Sequence, residues 1–446
     1  MNYKLFILKM YNDLFTTEKR FQKWNDLEKR QWMSLSEMTN LQLLKLKETL
    51  IYSIENVASF SNVKENLNSN DSVIDILNKF PVTDKSFYRS EGNKSLSRNI
   101  KNYKYIKSST SGSTGENFFF YLDITRLAWA RAAEYLGDSW AGILPHHRRA
   151  GLWGARFDQK KVNKFEKFFK DFLTPSSFLS SYNLSEESIR NYISIIQKNK
   201  PEMILCYPSP MFEFASYCKK NNVKFPFLRS IISSAEQLFD FQKELIERTF
   251  NVPVFNRYGN REFGLVAQEC DKHSGFHVLT DRVYVEILDD NNNPCRPGEL
   301  GNLVITELNN RVMPLIRYRI GDLASWSHQK QCTCGRGYPL LEKVEGRAFD
   351  VVRTPNGTVI SGTFWTLLMR HISEDIKAFQ IIQNSIDKIA INIQMHDGKS
   401  LNNEKLNFLK EKIKEKDKDI QIEITFCETI KLTKSGKKRF VISNLK

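Results

Sequence analysis

Apolar residues recur at helical spacing through roughly the first eighty positions, as in Leu43, Leu46, Leu50 and Ile54, and predict a helical lead-in over residues 1–80. From Lys104 to Ile305 the pattern changes. Short apolar runs at 118–122, 203–206, 230–232 and 252–255 read as buried strands, and helical stretches such as 186–198 and 241–250 lie between them. Strand and helix in alternation predict a largely parallel sheet with helices on its faces. Segments 283–288 and 303–307 flank the turn formers Asp289 to Pro294, and that arrangement predicts an antiparallel hairpin. Beyond Gly346 and Arg347 the chain starts a second, smaller set of elements at 379–383, 389–394, a helix through Ile413, and 420–426. The expected organisation is a large α/β domain over 1–347 and a small α+β domain over 348–446, with no internal repeat.

Composition supports that division. A chain of 446 residues is too long for one core of ordinary size, and a hydrophobic content of 41% leaves ample material for two. The net charge of +15 invites a nucleic-acid reading. Its lysines, however, are spread along the chain, and the densest run, 405–418, alternates with Glu and Asp as a solvated helix face does, with Leu406, Leu409 and Ile413 as its buried stripe. No nucleic-acid-binding module is present by motif, and the excess charge is better suited to attracting a small anion. No window reaches the roughly twenty apolar residues of a membrane span. Lys4 and Lys9 interrupt the apolar start and no small-residue cleavage site follows, so the expected location is the cytoplasm. Seven cysteines at irregular spacing fit a reducing compartment better than a disulfide framework.

The chemistry begins at 108–115. Ser108, Ser109, Thr110, Ser111, Gly112, Ser113, Thr114 and Gly115 place six hydroxyls and two glycines in eight residues. Small residues let the backbone bring N–H groups close to an anion, and the hydroxyls donate further bonds, so a nucleotide triphosphate is the natural guest. The spacing is neither that of the Walker loop nor that of the dinucleotide fingerprint. A flexible surface loop is the competing reading.

Five more motifs follow in order: Ser234-Ala235-Glu236 after one strand, Asn256-Arg257-Tyr258-Gly259-Asn260-Arg261-Glu262 after another, Tyr318-Arg319-Ile320-Gly321-Asp322, Glu345-Gly346-Arg347, and Leu432-Thr433-Lys434-Ser435-Gly436-Lys437. In this order the chain resembles the adenylate-forming ligases, the superfamily of acyl-CoA synthetases and peptide-synthetase adenylation domains. Phe80-Pro81-Val82-Thr83-Asp84-Lys85, Tyr207-Pro208-Ser209-Pro210 and Cys332-Thr333-Cys334-Gly335-Arg336 make it most similar to the phenylacetate-CoA ligase branch and its capsular-polysaccharide-associated CapK-like relatives. The resemblance covers nearly the whole length. It implies that 1–347 is an adenylation domain and 348–446 a lid.

Such enzymes join a carboxylic acid to AMP with release of pyrophosphate, then transfer the acyl group to a nucleophile, here expected to be the thiol of coenzyme A. The alternative acceptor is an amine, as in an amino sugar or amino acid of polysaccharide or secondary-metabolite assembly. The resemblance implies that Ser109 to Gly115 hold the ATP phosphates, that Tyr258 stacks on adenine, and that Ala235, Glu236, Asn256 and Gly259 line the nucleotide. Asp322 would accept from the ribose hydroxyls, and Arg347 would offer a planar donor fork to ribose or phosphate. Glu262 would hold Mg²⁺, with an ion pair to Arg257 or Arg261 as the plainer reading. Lys437 would be the catalytic lysine, its ammonium offsetting the charge that builds as the carboxylate meets the α-phosphate.

Cys270, His277, Cys332 and Cys334 offer three thiolates and an imidazole, enough for a closed structural zinc site, with His273 as the competing imidazole and unrelated free thiols as the other reading. Some members of the resembling branch carry zinc at matching positions. The acyl pocket is expected among Trp153, residues 207–211 and residues 233–237, a mostly aromatic and apolar set suited to an aryl or medium alkyl acid. A domain hinge is expected just after Arg347, where this chain departs from the superfamily pattern with Phe349 followed by Asp350; the turn Thr354-Pro355-Asn356-Gly357 points to the CapK-like subgroup. Oligomeric state is left open, a homodimer being one arrangement considered.

Overall fold

The structure is a computed structural model that describes residues 3–15, 19–111, 117–153, 176–181, 184–347, 352–356, 358–360, 364–365, 368–369, 371–372, 375–430 and 439–445. Its lead-in is helical, as the periodicity requires: α1 (Tyr3–Phe15), α2 (Arg20–Arg30), α3 (Leu35–Asn56), α4 (Val73–Asn78) and α5 (Lys85–Glu91). The 22-residue α3 opens on a capping box in which Ser34 and Glu37 satisfy each other's backbone donors. Leu46, Leu50 and Ile54 project from it into the main core.

Two strands, β1 (Tyr105–Ser111) and β2 (Asn117–Asp123), then pair antiparallel in register from Tyr105↔Asp123 to Ser111↔Asn117. This corrects the expectation for 118–122, which belongs to a separate hairpin and not to the parallel sheet. Phe118 and Phe120 are buried as a core strand requires, while Phe119 faces solvent, so the hairpin rests one face on the core. Asp123 caps α6 (Ile124–Trp140) by accepting from Arg126 N.

Among the described residues, eleven strands make one sheet. They are β3 (Arg149–Trp153), β4 (Ser176–Ser180), β5 (Met203–Cys206), β6 (Ser230–Ser234), β7 (Val254–Asn260), β8 (Gly264–Glu269), β9 (Phe276–Val278), β10 (Val283–Leu288), β11 (Gly301–Glu307), β12 (Tyr318–Trp326) and β13 (Leu340–Arg347). Their order is β10-β11-β12-β13-β9-β8-β7-β6-β5-β3-β4. Only β3 to β7 pair in parallel; from β7 through β10 every pairing is antiparallel, so the expected parallel sheet is half of a mixed one. Helices α7 (Glu186–Asn199), α8 (Pro208–Lys220) and α9 (Asp240–Phe250) bury Ile189, Phe214 and Ile246 against the parallel half. The expected hairpin is present as β10 and β11, and Asp289 Oδ1 accepts from the backbone of Asn291 and Asn293 to shape its turn.

Beyond a short ribbon of β14 (Val352–Arg353) and β15 (Val359–Ile360), the C-terminal elements are β16 (Ile376–Ser385), β17 (Lys388–Met395), α10 (Asn403–Lys414), β18 (Gln421–Phe426) and β19 (Val441–Ser443). Their sheet runs β18-β17-β16-β19 around its own core, with Leu409 and Ile413 of α10 fully buried and Leu406 half-buried. The strand β19 is an addition to what the hydrophobic pattern indicated.

Candidate active site and metal cluster

The hairpin register sets Ser111 opposite Asn117, the described residues on either side of the serine- and glycine-rich stretch. Gly112, Ser113, Thr114 and Gly115 lie outside the described residues, as does the Ser111 side chain. On β1, Ser109 O accepts from Arg261 Nη1 at 3.0 Å, so the residue that follows β7 bonds the strand that ends at Ser111. Thr110 is 9% exposed and its hydroxyl has no hydrogen-bond partner among the described residues, an unusual state for a buried donor.

Tyr258 and Asp322 meet directly, with the Tyr258 hydroxyl donating to Asp322 Oδ2 at 2.6 Å. Both sit at irregularities of pairing, one between Tyr258 and Gly259 and one between Asp322 and Leu323. An extra residue in one strand bends it and re-aims side chains, which is how two residues of non-adjacent strands come to face each other. The motif Asn256 to Asn260 is therefore part of β7 and does not follow it, contrary to the sequence expectation. Burial, together with the Asp322 carboxylate, raises the Tyr258 phenol well above its usual range and keeps it a donor. Arg347 is the cross-strand partner of Asp322, so the two residues share one register position; the Arg347 side chain lies outside the described residues.

At the end of β6, Ala235 adopts φ 69°, a left-handed conformation that costs a non-glycine residue about 1–2 kcal/mol. Such strain gathers at functional turns. Glu236 accepts from Ser209 N at the start of α8, 3.1 Å away, and Gln237 donates to Glu345 at 3.0 Å, tying the turn to β13. Asn256 is fixed through its backbone, whose N–H bonds Glu269 at 2.8 Å. Gly259 has a packing reason of its own: a Cβ there would stand 2.6 Å from Gly264 O.

Glu262 is 3% exposed, and its partner is Lys85 at 3.6 Å. The plainer reading of this glutamate is corrected in its partners: Arg257 pairs with Asp138, and Arg261 bonds Ser109 O. Arg126 donates to Glu262 O at 2.6 Å and so fixes its backbone. Nearby, Tyr318 is fully buried and its hydroxyl, too, has no partner among the described residues. One buried carboxylate beside a single ammonium suits a site where Mg²⁺ is held mainly by phosphates and water. Sequence reasoning missed Lys85 as a site residue. In the sequence the 80–85 motif marks only the branch it resembles; in the fold Thr83 pairs with Tyr318 and brings Lys85 to Glu262.

The donor atoms of Cys270, His277, Cys332 and Cys334 all lie within 4.8 Å of one another. Sγ of Cys270 and Sγ of Cys332 are 3.7 Å apart, and Cys334 Sγ is 3.4 Å from His277 Nε2. Zn–S and Zn–N bonds of about 2.3 and 2.0 Å give tetrahedral edges of roughly 3.8 and 3.5 Å, so these separations fit zinc. Burial lowers the His277 pKa to about 4, leaving the neutral imidazole that a metal needs. Burial works against ionising Cys334, but the Arg336 N–H and guanidinium outweigh it and lower its pKa. His273 is excluded from the cluster by its contact with Glu269 at 3.0 Å. The cluster joins the β8–β9 turn to the loop before β13, and Arg336 in that loop bonds Gln31 of the lead-in at 2.9 Å.

In the expected acyl region, Trp153 and Tyr207 pack with centroids 4.1 Å apart, while the hydroxyls of buried Ser209 and Ser233 have no partner among the described residues. That region is more polar than the sequence reading held. Lys437, Phe349, Asp350 and Gly357 lie outside the described residues. Arg439 and Phe440 do not, and Phe440 meets Phe239 of the large domain at 5.2 Å. No described helix is long and apolar enough to cross a membrane.

Residues 352–444 match the family described as the CapK C-terminal domain. Over 453 positions the chain is 25% identical to Protein CapK of Staphylococcus aureus, covering 99% of this chain and 95% of that one. It is 27% identical to a phenylacetate-coenzyme A ligase of Thermus thermophilus, over 46% of this chain and 48% of the relative, and 23% identical to indoleacetate–lysine synthetase of Pseudomonas savastanoi, over 55% and 60%. In three dimensions it is similar to 2-hydroxyisobutyryl-CoA ligase with 2-HIB-AMP in the postadenylation state, at TM-score 0.74, 17% identity, and coverage of 94% and 92%. The same ligase in its thioesterification state gives TM-score 0.59 at 18% identity and coverage of 93% and 91%. Over its full length the chain is thus similar in sequence to Protein CapK and over part of it to phenylacetate-CoA ligases, its C-terminal residues match the CapK C-terminal domain, and its fold is that of the adenylate-forming ligases.

Proposed function

We propose that the protein activates a carboxylic acid with ATP as acyl-AMP and then transfers the acyl group to the thiol of coenzyme A. The observation that carries this reading is the joining of Tyr258 and Asp322 beside the β6 turn, with Arg347 in register and the lid's Phe440 packed against Phe239 next to that turn. The better fit to a postadenylation structure than to a thioesterification structure of one ligase supports a C-terminal domain placed as in the state that follows acyl-AMP formation and precedes acyl transfer.

In that half-reaction a carboxylate oxygen attacks the α-phosphorus, a P–O bond forms, and the bond to the β-phosphate breaks as pyrophosphate leaves. Asp322, oriented by Tyr258, accepts from ribose hydroxyls, and the Tyr258 ring stacks on the base. Ala235, Glu236, Asn256 and Gly259 line the nucleotide, and Arg347 reaches ribose or phosphate. The loop from Ser109 to Gly115 holds the outer phosphates, with Lys437 countering charge at the reacting oxygen. Glu262 would hold Mg²⁺, which would supply positive charge against the phosphates. Cys270, His277, Cys332 and Cys334 would hold zinc with four protein donors, which would give it a structural role. In the second half-reaction the acceptor attacks the acyl carbon and AMP departs. The reaction is assigned to the cytoplasm, where ATP and coenzyme A are available.

Transfer to an amine is a second reading, favoured by similarity to indoleacetate–lysine synthetase. Product analysis tests both. Incubation with ATP, Mg²⁺, coenzyme A and pooled acids should yield AMP and one acyl-CoA by mass spectrometry. An acyl amide formed only when an amine is supplied would select the second reading, and ADP as the nucleotide product would exclude adenylation.

A further inference from the structure

Ser181, Ser209 and Ser233 are 5%, 5% and 1% exposed, and none of their hydroxyls has a hydrogen-bond partner among the described residues. An unpaired buried donor works against folding, and folds avoid it unless a ligand or water meets it. All three stand at the carboxyl ends of parallel strands, and named contacts tie them together. Ser181 N donates to Trp153 O at 2.9 Å, and the Trp153 ring packs on Tyr207 with centroids 4.1 Å apart. Ser209 follows Tyr207 by two residues, in the first turn of α8. Ser233 lies in parallel register beside Cys206, the residue before Tyr207. Glu236 borders the same group: its Oε2 accepts from Ser209 N at 3.1 Å, and burial and, after it, the Glu236 carboxylate raise the Cys206 thiol pKa.

The chemistry of this cluster selects its guest. In open parallel sheets, ligands bind in the crevice outside the carboxyl ends of the strands. Trp153 is half-buried and keeps ring surface for another aromatic ring, in the offset or edge-on contact that ring quadrupoles favour. Each serine hydroxyl offers one proton and two lone pairs. A hydroxyl on the guest answers both serines, accepting from one and donating to the other. A second carboxylate only accepts and would face Glu236. An ammonium only donates, leaves the serine protons unpaired, and would stand at the positive end of α8.

We infer that the acid activated here is a hydroxylated aromatic carboxylic acid, its ring on Trp153 and Tyr207 and its hydroxyl between Ser209 and Ser233. The inference rests on the proposed activation of a carboxylic acid and adds the class of that acid.

Acid-dependent pyrophosphate exchange by the full chain tests it, with benzoate, phenylacetate, and their ring-hydroxylated and ring-amino derivatives as substrates. One hydroxylated isomer should exceed its unsubstituted parent in kcat/KM by about 100-fold or more, because a site built for a hydroxyl rejects the analogue that lacks it. Ser209→Ala and Ser233→Ala should each cut that ratio about tenfold, slowing the hydroxylated acid and leaving the parent unchanged. Equal kcat/KM for parent and hydroxylated acids, preference for an amino derivative, or equal loss of both acids in the serine variants would overturn the assignment and leave carboxylate activation standing.

Calorimetric titration with the same acids reads the site without turnover. A hydroxylated acid that binds, and binds about tenfold more weakly to Ser209→Ala, in a protein that exchanges no pyrophosphate would keep the site and remove the ligase reading. Neither binding nor exchange with any hydroxylated aromatic acid would overturn the inference.

Discussion

The Tyr258 hydroxyl and Asp322 Oδ2 are 2.6 Å apart although β7 and β12 are separated in the sheet by β8, β9 and β13. Four strand spacings of about 4.8 Å would hold them roughly 19 Å apart in a flat sheet. The sheet must therefore curl, and the pairing irregularities at both residues supply local bends. If the pair receives a ribose, Asp322→Ala should raise the Kd for AMP by about 10- to 100-fold, the range set by hydrogen bonds to a charged group. Tyr258→Phe should raise it about fivefold. Calorimetric titration measures both.

The same pair predicts a pH profile. The raised pKa of Tyr258 exceeds its unfolded value, so the stabilisation is fully present below about pH 10 and is lost only as pH rises through the folded value. AMP affinity should show no transition from this group between pH 7 and pH 10. A titration in that window that disappears in Tyr258→Phe would contradict the assignment.

Asp138 ties α6 to the sheet through Arg149 of β3 and Arg257 of β7. Burial alone would raise its pKa, but the two guanidiniums outweigh burial and lower it. A depressed carboxylate stabilises the fold above its unfolded pKa of about 3.9, and that stabilisation is lost as pH falls through the folded value. Asp138→Ala should cost about 3 kcal/mol at pH 7, because it removes the buried carboxylate that two part-buried guanidiniums share. The cost should shrink in acid below about pH 4. Urea denaturation at pH 7 and pH 3.5 reads the difference.

Some residues that the short ordered motifs single out do meet in space. Tyr258, Glu262 and Asp322 were singled out from one chain, and the four proposed zinc ligands do converge. The sheet was less legible. Buried strands such as 230–234 and 301–307 look alike in hydrophobicity whether their neighbours are parallel or antiparallel, and both are buried throughout. Lys85 was missed because its partner Glu262 is 177 positions away and only the bridge from Thr83 to Tyr318 brings them together. The contact of Phe440 with Phe239 was hidden for the same reason: no periodicity marks a contact between residues 201 positions apart.

Lys85 and Glu262 give a metal-dependence prediction. Glu262→Gln should raise the Mg²⁺ concentration for half-maximal rate by about 10- to 100-fold, as loss of a ligand-shell carboxylate does. Lys85→Ala frees the carboxylate from its ammonium and should lower that concentration. Identical Mg²⁺ titrations of wild type and Glu262→Gln would remove Glu262 from the metal site.

Protein purified without added zinc should contain about one zinc per chain by elemental analysis, and Cys332→Ser should lose it together with thermal stability. Because the cluster joins the β8–β9 turn to the loop bonded to Gln31, proteolysis after chelation should first release the N-terminal helices. Folded, active protein with negligible zinc would leave the cysteines as free thiols.

Adenylation itself is tested most directly by carboxylate-dependent exchange of labelled pyrophosphate into ATP over a panel of aryl, aliphatic, hydroxy and amino acids. The exchange needs only the first half-reaction and no knowledge of the acceptor. The proposed function predicts exchange with one acid class, reduced by orders of magnitude in Lys437→Ala while ATP still binds. Full exchange in Lys437→Ala would remove that lysine from catalysis, and no exchange with any acid in protein shown to bind ATP would contradict the central claim.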